Sequence, residues 1–452
     1  MTAARPTVTL LEYLRNRGFV GTKEGCGDGD CGACTVAVVA QDADGQAQYQ
    51  AVNSCLLPLG SVAGLEVVTV EGVANGVLHP VQQALVDTGG SQCGYCTPGF
   101  VMSLFAGYYS GELSDEAIEG NLCRCTGYLP IRRAISSLEE PKVDDPFMTK
   151  LQVEGAGVRA ENMGGGTFHR PTELEQVFTL LQENPDATLI AGGTDLGLEL
   201  SHKTANFSKL VALEDVKELR QLNIASEQVE IGAGLPLSLL EQKLHGIFPA
   251  LDEMLYWFAA RQVRNRATLG GNLATASPIG DLPPVLLALD AEVKLQSAKG
   301  ERTVPVAEFF EDYRQSVLQQ GEIIVSVVIP REPTAGATRR LSQAYKVGKR
   351  GTDDISIVAA AFTVDLDAND NVVHARLAYG GVAATPARAL EVEIFLTGKP
   401  WNADTVRQAK PKLRATFTPL DDLRGSASYR KVLVANLFEK FFTDFAPKEV
   451  AA

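Results

Sequence analysis

Past residue 125 the chain contains no cysteine, although it runs to residue 452. No apolar run approaches the roughly 18 residues that a bilayer-crossing helix needs. Basic residues are outnumbered: Lys+Arg 41 against Asp+Glu 55 give a formal net charge of −14. Without a basic footprint a general nucleic-acid binder is excluded, because phosphate contacts require one. Met1-Thr2-Ala3-Ala4-Arg5-Pro6 leads into an amphipathic segment with Glu12 and Arg15 rather than into an apolar signal core. A cytoplasmic protein with no membrane and no nucleic-acid partner is therefore expected. No Gly-x-Gly-x-x-Gly follows a strand and opens a helix, and there is no Walker loop. Gly232-Ala233-Gly234 runs on to Pro236 without a third glycine, so a Rossmann site is not supported. At about 100–200 residues per domain, the length implies about three domains.

Against these shortages stand eight cysteines, all in the first third: Cys26, Cys31, Cys34, Cys55, Cys93, Cys96, Cys123 and Cys125. A disulfide scaffold is normally small and cysteine-dense throughout. Thiols gathered at one end of a long chain point to metal or redox chemistry instead. The first four follow C-x4-C-x2-C with a distant fourth, the spacing of plant-type [2Fe–2S] ferredoxins. Gly25, Gly27, Gly29 and Gly32 free the loop to turn backbone N–H groups toward a buried anion. A four-cysteine zinc site or a redox disulfide is the rival, but zinc favours two short knuckles. None of the five histidines (His79, His169, His202, His245, His374) lies in the loop, which argues against a Rieske centre.

The second four form Cys93-x2-Cys96 and Cys123-x-Cys125, at the edges of expected helices, where free N–H groups stabilise a thiolate. Spacing alone leaves a second iron–sulfur cluster and a zinc site both open. Around the thiols, residues 7–15 read as a helix with Thr9 as a cap. Residues 35–39 and 48–52 read as a hairpin across the turn 42–45, and 65–70 as a further strand. Helices are expected at the 81/84/85 stripe, over 100–109, over 115–122 (Ser114 capping) and over 130–138. Residues 139–168 read as a linker. Further along, helices are expected over 173–182, 283–289, 387–396 and 429–442, and strands at 189–191, 229–231, 355–366 and 372–379.

The stretches Gly25-Cys26-Gly27-Asp28-Gly29-Asp30-Cys31-Gly32-Ala33-Cys34-Thr35, Gln92-Cys93-Gly94-Tyr95-Cys96-Thr97-Pro98-Gly99 and Asn121-Leu122-Cys123-Arg124-Cys125-Thr126-Gly127-Tyr128 resemble the two cluster motifs of the molybdenum hydroxylases, the xanthine oxidase family. The resemblance implies metal ligation by all eight cysteines. In the family, the helical-domain cluster lies nearer the molybdenum cofactor. Two glycine turns extend the resemblance over about 169–450. One is Leu189-Ile190-Ala191-Gly192-Gly193-Thr194-Asp195-Leu196; the other is Thr268-Leu269-Gly270-Gly271-Asn272 with Ala276 to Asp281 behind it. Alone such turns are more often plain tight turns; in this order they resemble the family's FAD domain.

Carried across, residues 189–196 line the diphosphate and flavin, and Phe258 and Ala259 pack on the isoalloxazine and adenine side. Thr268, Gly271, Asn272, Ser277 and Asp281 bind phosphate and ribitol oxygens, and Lys346 stands at the flavin edge. Arg350, Asp353 and Asp354 fall in the loop that governs NAD or oxygen access in the family, with Tyr313 near the entrance. On pattern alone Phe258 would be a core aromatic, Lys346 and Arg350 a solvated basic loop, and Asp195 a helix cap. His169 and His245 receive no role.

The implied fold is multidomain α+β. It comprises a ferredoxin-like β-grasp domain (1–74), a four-helix [2Fe–2S] bundle (75–140), a linker (141–168), an FAD-binding domain of the vanillyl-alcohol-oxidase/CO-dehydrogenase-flavoprotein type (169–335) and a C-terminal α+β domain (336–452). The resemblance implies an electron-transfer subunit with two [2Fe–2S] clusters and FAD, and with NAD+ as acceptor. Its implied partner is a large molybdopterin-binding subunit, in a heterotetramer of two small and two large chains. Electrons would come from hypoxanthine or xanthine, with no substrate-oxidising residue on this chain; an aldehyde or N-heterocycle is the alternative donor, and a zinc-bearing interaction scaffold the remote one. The family begins with a strand hairpin before its first helix. Here six residues precede Thr7, so the first sheet is expected to lack an edge or borrow one, unless the recorded start is displaced.

Overall fold

The computed structural model describes residues 5–42, 44–74, 76–157 and 167–446. The chain forms two compact units. One takes residues up to 216 with 236–243 and 259–268; the other takes 217–235, 244–258 and the chain from 269 onward.

The first unit opens with helix Leu10–Asn16, capped as expected: Thr9 Oγ1 accepts from the Glu12 N–H at 3.1 Å. Strand Thr35–Gln41 pairs antiparallel with Ala47–Asn53, and Val67–Val68 joins its other edge. Among the described residues these three strands make up the sheet. Alternation along Thr35–Gln41 sends side chains to two cores. Val36 and Val38 pack with Leu10, Leu14 and Leu57. Ala37 and Val39 pack with Phe100, Leu104 and Phe105 of the helical part. The expected strand 65–70 is shortened, because the chain turns at Thr69 into helix Val70–Val73.

Helices Pro80–Asp87, Thr97–Ser110 and Leu129–Ser137 follow. The helix expected over 115–122 is a single 3-10 turn, Asp115–Ile118, with Ser114 capping it. Beyond the turn the backbone leaves helical pairing: Leu122 N–H donates to Cys31 O at 3.0 Å instead. The expected linker contains a helix, Pro146–Leu151, capped by Asp145. Its residues 158–166, with Gly164 to Gly166, lie outside the described residues, as do Met1 to Ala4 and Ala43. A parallel three-stranded sheet follows, in the order Phe168–His169, Leu210–Ala212, Thr188–Ile190.

The second unit holds a five-stranded antiparallel sheet, in the order Gly300–Pro305, Glu292–Ser297, Ile323–Pro330, Gln228–Gly232, Leu222–Ile224. A four-stranded antiparallel sheet runs Arg339–Val347, Val358–Leu366, Val372–Gly380, Ala387–Arg388. Helices Leu390–Leu396, Ala403–Thr416 and Ala427–Phe445 close over it, burying Phe362, Tyr379, Phe438 and Phe441. The helix expected from 387 starts at Leu390, because Ala387 and Arg388 pair with Tyr379 and Ala378 as an edge strand. Helix Ala403–Thr416 had no sequence expectation: it is largely polar and contains Pro411.

Candidate electron-transfer centres

The first quartet sits on the loop before strand Thr35–Gln41 and on the turn after Ala47–Asn53. Cys34 and Cys55 are buried, whereas Cys26 and Cys31 are half-buried. Backbone amides converge on the thiols: Asp28 N–H and Cys31 N–H reach Cys26 Sγ at 3.3 and 3.4 Å, and Cys26 N–H reaches Cys31 Sγ at 3.3 Å. Gly27, Gly29 and Gly32 all have positive φ, the backbone freedom this inward turning requires. The thiols associate in twos. A hydrogen bond with Cys31 pulls Cys26 down to about 5 and pushes Cys31 up. Cys55 does the same for Cys34, which is lowered while Cys55 is raised.

In the second quartet Cys93 and Cys125 are exposed and Cys123 is buried; Cys96 is intermediate and is the N-cap residue of Thr97–Ser110. Here too the thiols pair, Cys93 with Cys125 and Cys96 with Cys123. Burial and the Cys123 contact push Cys96 up to about 12. Burial works against ionising Cys123, but the Thr126 hydroxyl (3.1 Å) and N–H (3.4 Å) prevail and lower it.

Two pairs per quartet are what a binuclear centre needs, one iron to each pair with sulfides between. A single zinc ion would need four thiolates converging on one point. Among the described residues no group of three or more His, Cys, Asp or Glu side chains converges in that way. The donor sets fit [2Fe–2S] clusters.

The two cysteine loops meet back to back. Besides the Leu122–Cys31 backbone bond, Asn121 Nδ2 donates to Gly32 O at 3.0 Å. A Cβ on Gly32 would stand 2.1 Å from Gly120 O, and one on Gly99 would stand 2.1 Å from Gly32 O. Segment 260–266 locks this region, a role its sequence did not suggest. Gln262 donates to Ser103 Oγ and Asn121 Oδ1, Asn265 donates to Ala51 O, and Arg264 pairs with Glu119 at 2.8 Å.

The first glycine turn lies beside the first quartet. Gly192 is pressed against Arg266 O, where a Cβ would stand at 1.8 Å, and Gly193 has φ +77°. Gly192 and Thr194 line a small cavity with Asn53, Leu56, Leu57, Gln262, Val263 and Arg266. Ile190 commits its side chain to the core with Phe168 and Leu210, and its carbonyl accepts from the Leu213 N–H at 2.8 Å. Ala191 and Leu189 are half-buried. Asp195 precedes helix Leu196–His202 but makes no capping bond. Gly197 rests on Leu56, the neighbour of Cys55: a Cβ there would stand 2.1 Å from Leu56 O. Ala259 takes φ +44°, and its carbonyl accepts from Arg264 Nη1 at 3.0 Å. Thr268 is buried and bridges to Pro236.

The remaining residues expected at the flavin belong to the second unit. Phe258 is mostly buried at the end of helix Pro249–Trp257. Gly271 and Asn272 lie on helix Leu269–Ala274. Buried Asn272 Oδ1 has no hydrogen-bond partner among the described residues, an orphaned acceptor that fits a bound polar group. Ser277 Oγ caps a turn by accepting from the Ile279 N–H. Asp281 is already engaged, by Lys346 Nζ at 2.9 Å and Ser356 Oγ at 2.5 Å. Lys346 is not on a solvated loop: its side chain is 2% exposed, and it also donates to Trp257 O. In loop 348–354, Asp354 accepts from the Lys349, Arg350 and Ile355 N–H groups; burial opposes its ionisation, but these donors hold it below its ordinary range. Tyr313 is exposed on a small hairpin.

Four family models match along the chain. They are a 2Fe-2S iron-sulfur cluster binding domain (1–59), a [2Fe-2S] binding domain (69–136), the FAD binding domain in molybdopterin dehydrogenase (161–332) and the CO dehydrogenase flavoprotein C-terminal domain (343–445). Curated relatives include xanthine dehydrogenase 1 of Arabidopsis thaliana, 34% identical over 96% of this chain and 38% of its own length. The xanthine dehydrogenase of Emericella nidulans is 35% identical over 97% of this chain and 37% of its own. The chain thus spans under two fifths of these relatives. Among solved structures, carbon monoxide dehydrogenase from Hydrogenophaga pseudoflava has 29% identity and a TM-score of 0.57, covering 61% of this chain and 96% of that one. Quinoline 2-oxidoreductase from Pseudomonas putida 86 has 27% identity and a TM-score of 0.57, covering 62% and 96%. Among the described residues no helix is long and apolar enough to cross a membrane. With its cluster-binding, FAD-binding and flavoprotein C-terminal domains, and with xanthine dehydrogenases as homologues, the chain belongs to the xanthine oxidase, or molybdenum hydroxylase, family.

Proposed function

We propose that this chain is the electron-relay part of an NAD-dependent, molybdenum-containing xanthine dehydrogenase. Cys26, Cys31, Cys34 and Cys55 hold one [2Fe–2S] cluster; Cys93, Cys96, Cys123 and Cys125 hold the other. The glycine turns at 192–193 and 270–271, with Phe258, Ala259, Thr268, Asn272 and Ser277, bind FAD, and Asp281 acts with Lys346 as one ion pair. The clusters supply one-electron steps, and the flavin joins two of them for transfer to NAD+. Electrons come from hypoxanthine or xanthine, oxidised to urate at a molybdopterin cofactor on a large partner subunit, in an assembly of two small and two large chains.

One observation carries the order of the relay. The second quartet opens outward through exposed Cys93 and Cys125, flanked in sequence by exposed Tyr95, Leu122 and Leu129. The first lies behind it, its Cys55 next to the residue on which the helix after the first glycine turn rests. That arrangement supports entry at the second cluster and exit from the first toward the flavin loop. The side chains of this chain hold, orient and insulate the carriers.

The chain is to be purified from its source with whatever it binds, and iron, sulfide, flavin and NADH formation measured. A co-purifying large chain and NAD+ reduction by xanthine are expected. NAD+ reduction by an aldehyde or N-heterocycle but not by a purine would replace the substrate. A colourless, zinc-loaded protein would overturn the reading. The likeness to a quinoline oxidoreductase favours the other-heterocycle version as the second reading.

A further inference from the structure

Helix Leu196–His202 begins beside Leu56 and ends over the other side of the first-quartet loop. Its last residue, His202, meets Asp28: His202 Nε2 lies 2.5 Å from Asp28 Oδ1. The imidazole also covers Gly27, where a Cβ would stand 3.6 Å from His202 Cε1, and Ser201 Oγ would stand 3.1 Å from the same point. Asp28 is two residues from Cys26 and donates its own N–H to Cys26 Sγ at 3.3 Å. One residue therefore presents a stabilising donor to the thiol with its main chain and a negative charge close by with its side chain.

We propose that His202 is a positioning residue for the first cluster, holding the Asp28 carboxylate off Cys26 and so keeping the cluster's reduction potential up. This rests on the assignment of the first quartet to a [2Fe–2S] cluster. An added electron makes an already anionic centre more negative, so each nearby donor N–H raises the potential and each nearby free carboxylate lowers it. With its oxygen held by the ring N–H, the carboxylate is turned toward the helix. Released, it is free to swing over Gly27 toward the sulfur. Both side chains are 47% exposed, so solvent screens the charge, and the effect is a shift in potential rather than loss of the cluster.

The alternative is an ordinary surface pair in which His202 serves the C-terminal end of its helix. Such a pair would leave the potential unchanged. Two features of the geometry argue for more. The ring lies over Gly27 of the ligand loop itself, and the helix that carries it packs closely at its other end against Leu56, the neighbour of Cys55.

The test is a redox titration of the full-length chain with its clusters and flavin, followed by electron paramagnetic resonance, with the second cluster as internal reference. His202→Phe is expected to lower the first-cluster midpoint potential, and Asp28→Asn to raise it. The double variant should match Asp28→Asn, because the histidine acts through the carboxylate. His202→Gln, which retains a donor, should stay near the parent value and guards against a folding artefact in the phenylalanine variant. An unmoved potential in His202→Phe, or a double variant midway between the two singles, overturns the proposal. If the reduced parent chain gives no [2Fe–2S] signal, the cluster assignment fails and the proposal with it; a normal signal with unmoved potentials removes the proposal alone.

Discussion

Two cysteine quartets share one unit and are joined by one backbone hydrogen bond, yet they meet opposite surroundings. In the first, Cys34 and Cys55 are buried and the loop folds its amides inward around Cys26 and Cys31. In the second, Cys93 and Cys125 face solvent, Cys96 stands at a helix N-terminus and a threonine serves Cys123. A negative centre is expensive to bury unless donors accompany it, so the buried site needs a glycine-rich loop. The exposed site has water and a helix end. The first quartet is therefore woven into the fold, whereas the second opens to solvent.

Removing one thiol from each quartet tests that contrast most severely. Cys55→Ser and Cys125→Ser should each halve the iron content and abolish one [2Fe–2S] resonance. Only the first should also weaken the fold. A buried hydroxyl without its partner costs roughly 1–3 kcal/mol, whereas an exposed replacement stays within about 0.5 kcal/mol. Equal falls in unfolding free energy, measured by denaturant titration, would erase the distinction.

The glycines sharpen it. Gly32 has φ +63°, and a Cβ there would collide with Gly120 O at 2.1 Å; Gly94 has φ +81° with its nearest neighbour 3.9 Å away. Gly32→Ala combines a left-handed alanine with a backbone collision and should cost at least about 2 kcal/mol. It should disturb both resonances, because both ligand loops meet at that point. Gly94→Ala bears the backbone term alone, about 1 kcal/mol, and should leave the first resonance intact. The measurements are thermal unfolding and spectra of the two variants.

What the sequence disclosed follows from how local each feature is. Cysteine spacing, the Thr9 and Ser114 caps and the hairpin are set by neighbouring residues, and they were readable. The pairing of thiols was not: Cys93 meets Cys125 and Cys96 meets Cys123 only because the chain returns after some thirty residues. The helix expected over 115–122 failed because a distant partner, Cys31 O, recruits the Leu122 N–H away from helical pairing, while the Asn121 side chain is drawn to Gly32 O. Lys346 read as a solvated basic side chain because Asp281, which neutralises it, is 65 positions away. Arg264 is fully buried inside a stretch with no apolar periodicity, a placement that Glu119 explains and the local pattern does not.

Acid should separate the regions more gently. His79 caps helix Pro80–Asp87: its Nδ1 accepts from the Val81 N–H at 3.2 Å, and its Nε2 lies 2.8 Å from Tyr109 OH. The tyrosine proton is committed to Asp145, so the ring donates from Nε2 and is neutral. Burial outweighs nearby Asp145 and lowers His79 to about 4, beneath its ordinary 6.5. The unfolded chain then takes up the proton first. This contribution is complete above pH 6.5 and is lost as the pH falls toward about 4. Thermal unfolding over that window should show the helical part weakening, with the slope reduced in His79→Gln. A slope unchanged in the variant would assign the effect to other groups.

The smallest effect should come from Tyr95. Its ring is half-exposed, and its hydroxyl donates to Glu24 O, tying the outward loop of the second quartet to the approach of the first. A single exposed hydrogen bond contributes at most about 1 kcal/mol. Tyr95→Phe should leave both resonances and the overall midpoint nearly unchanged while speeding amide exchange over residues 91–96. If the second quartet is held by its helix end, as its surroundings imply, losing this tether frees the loop without losing the iron. Loss of the second resonance in Tyr95→Phe would mean instead that the exposed site depends on the buried loop for its integrity, and the two regions would then be one structural element.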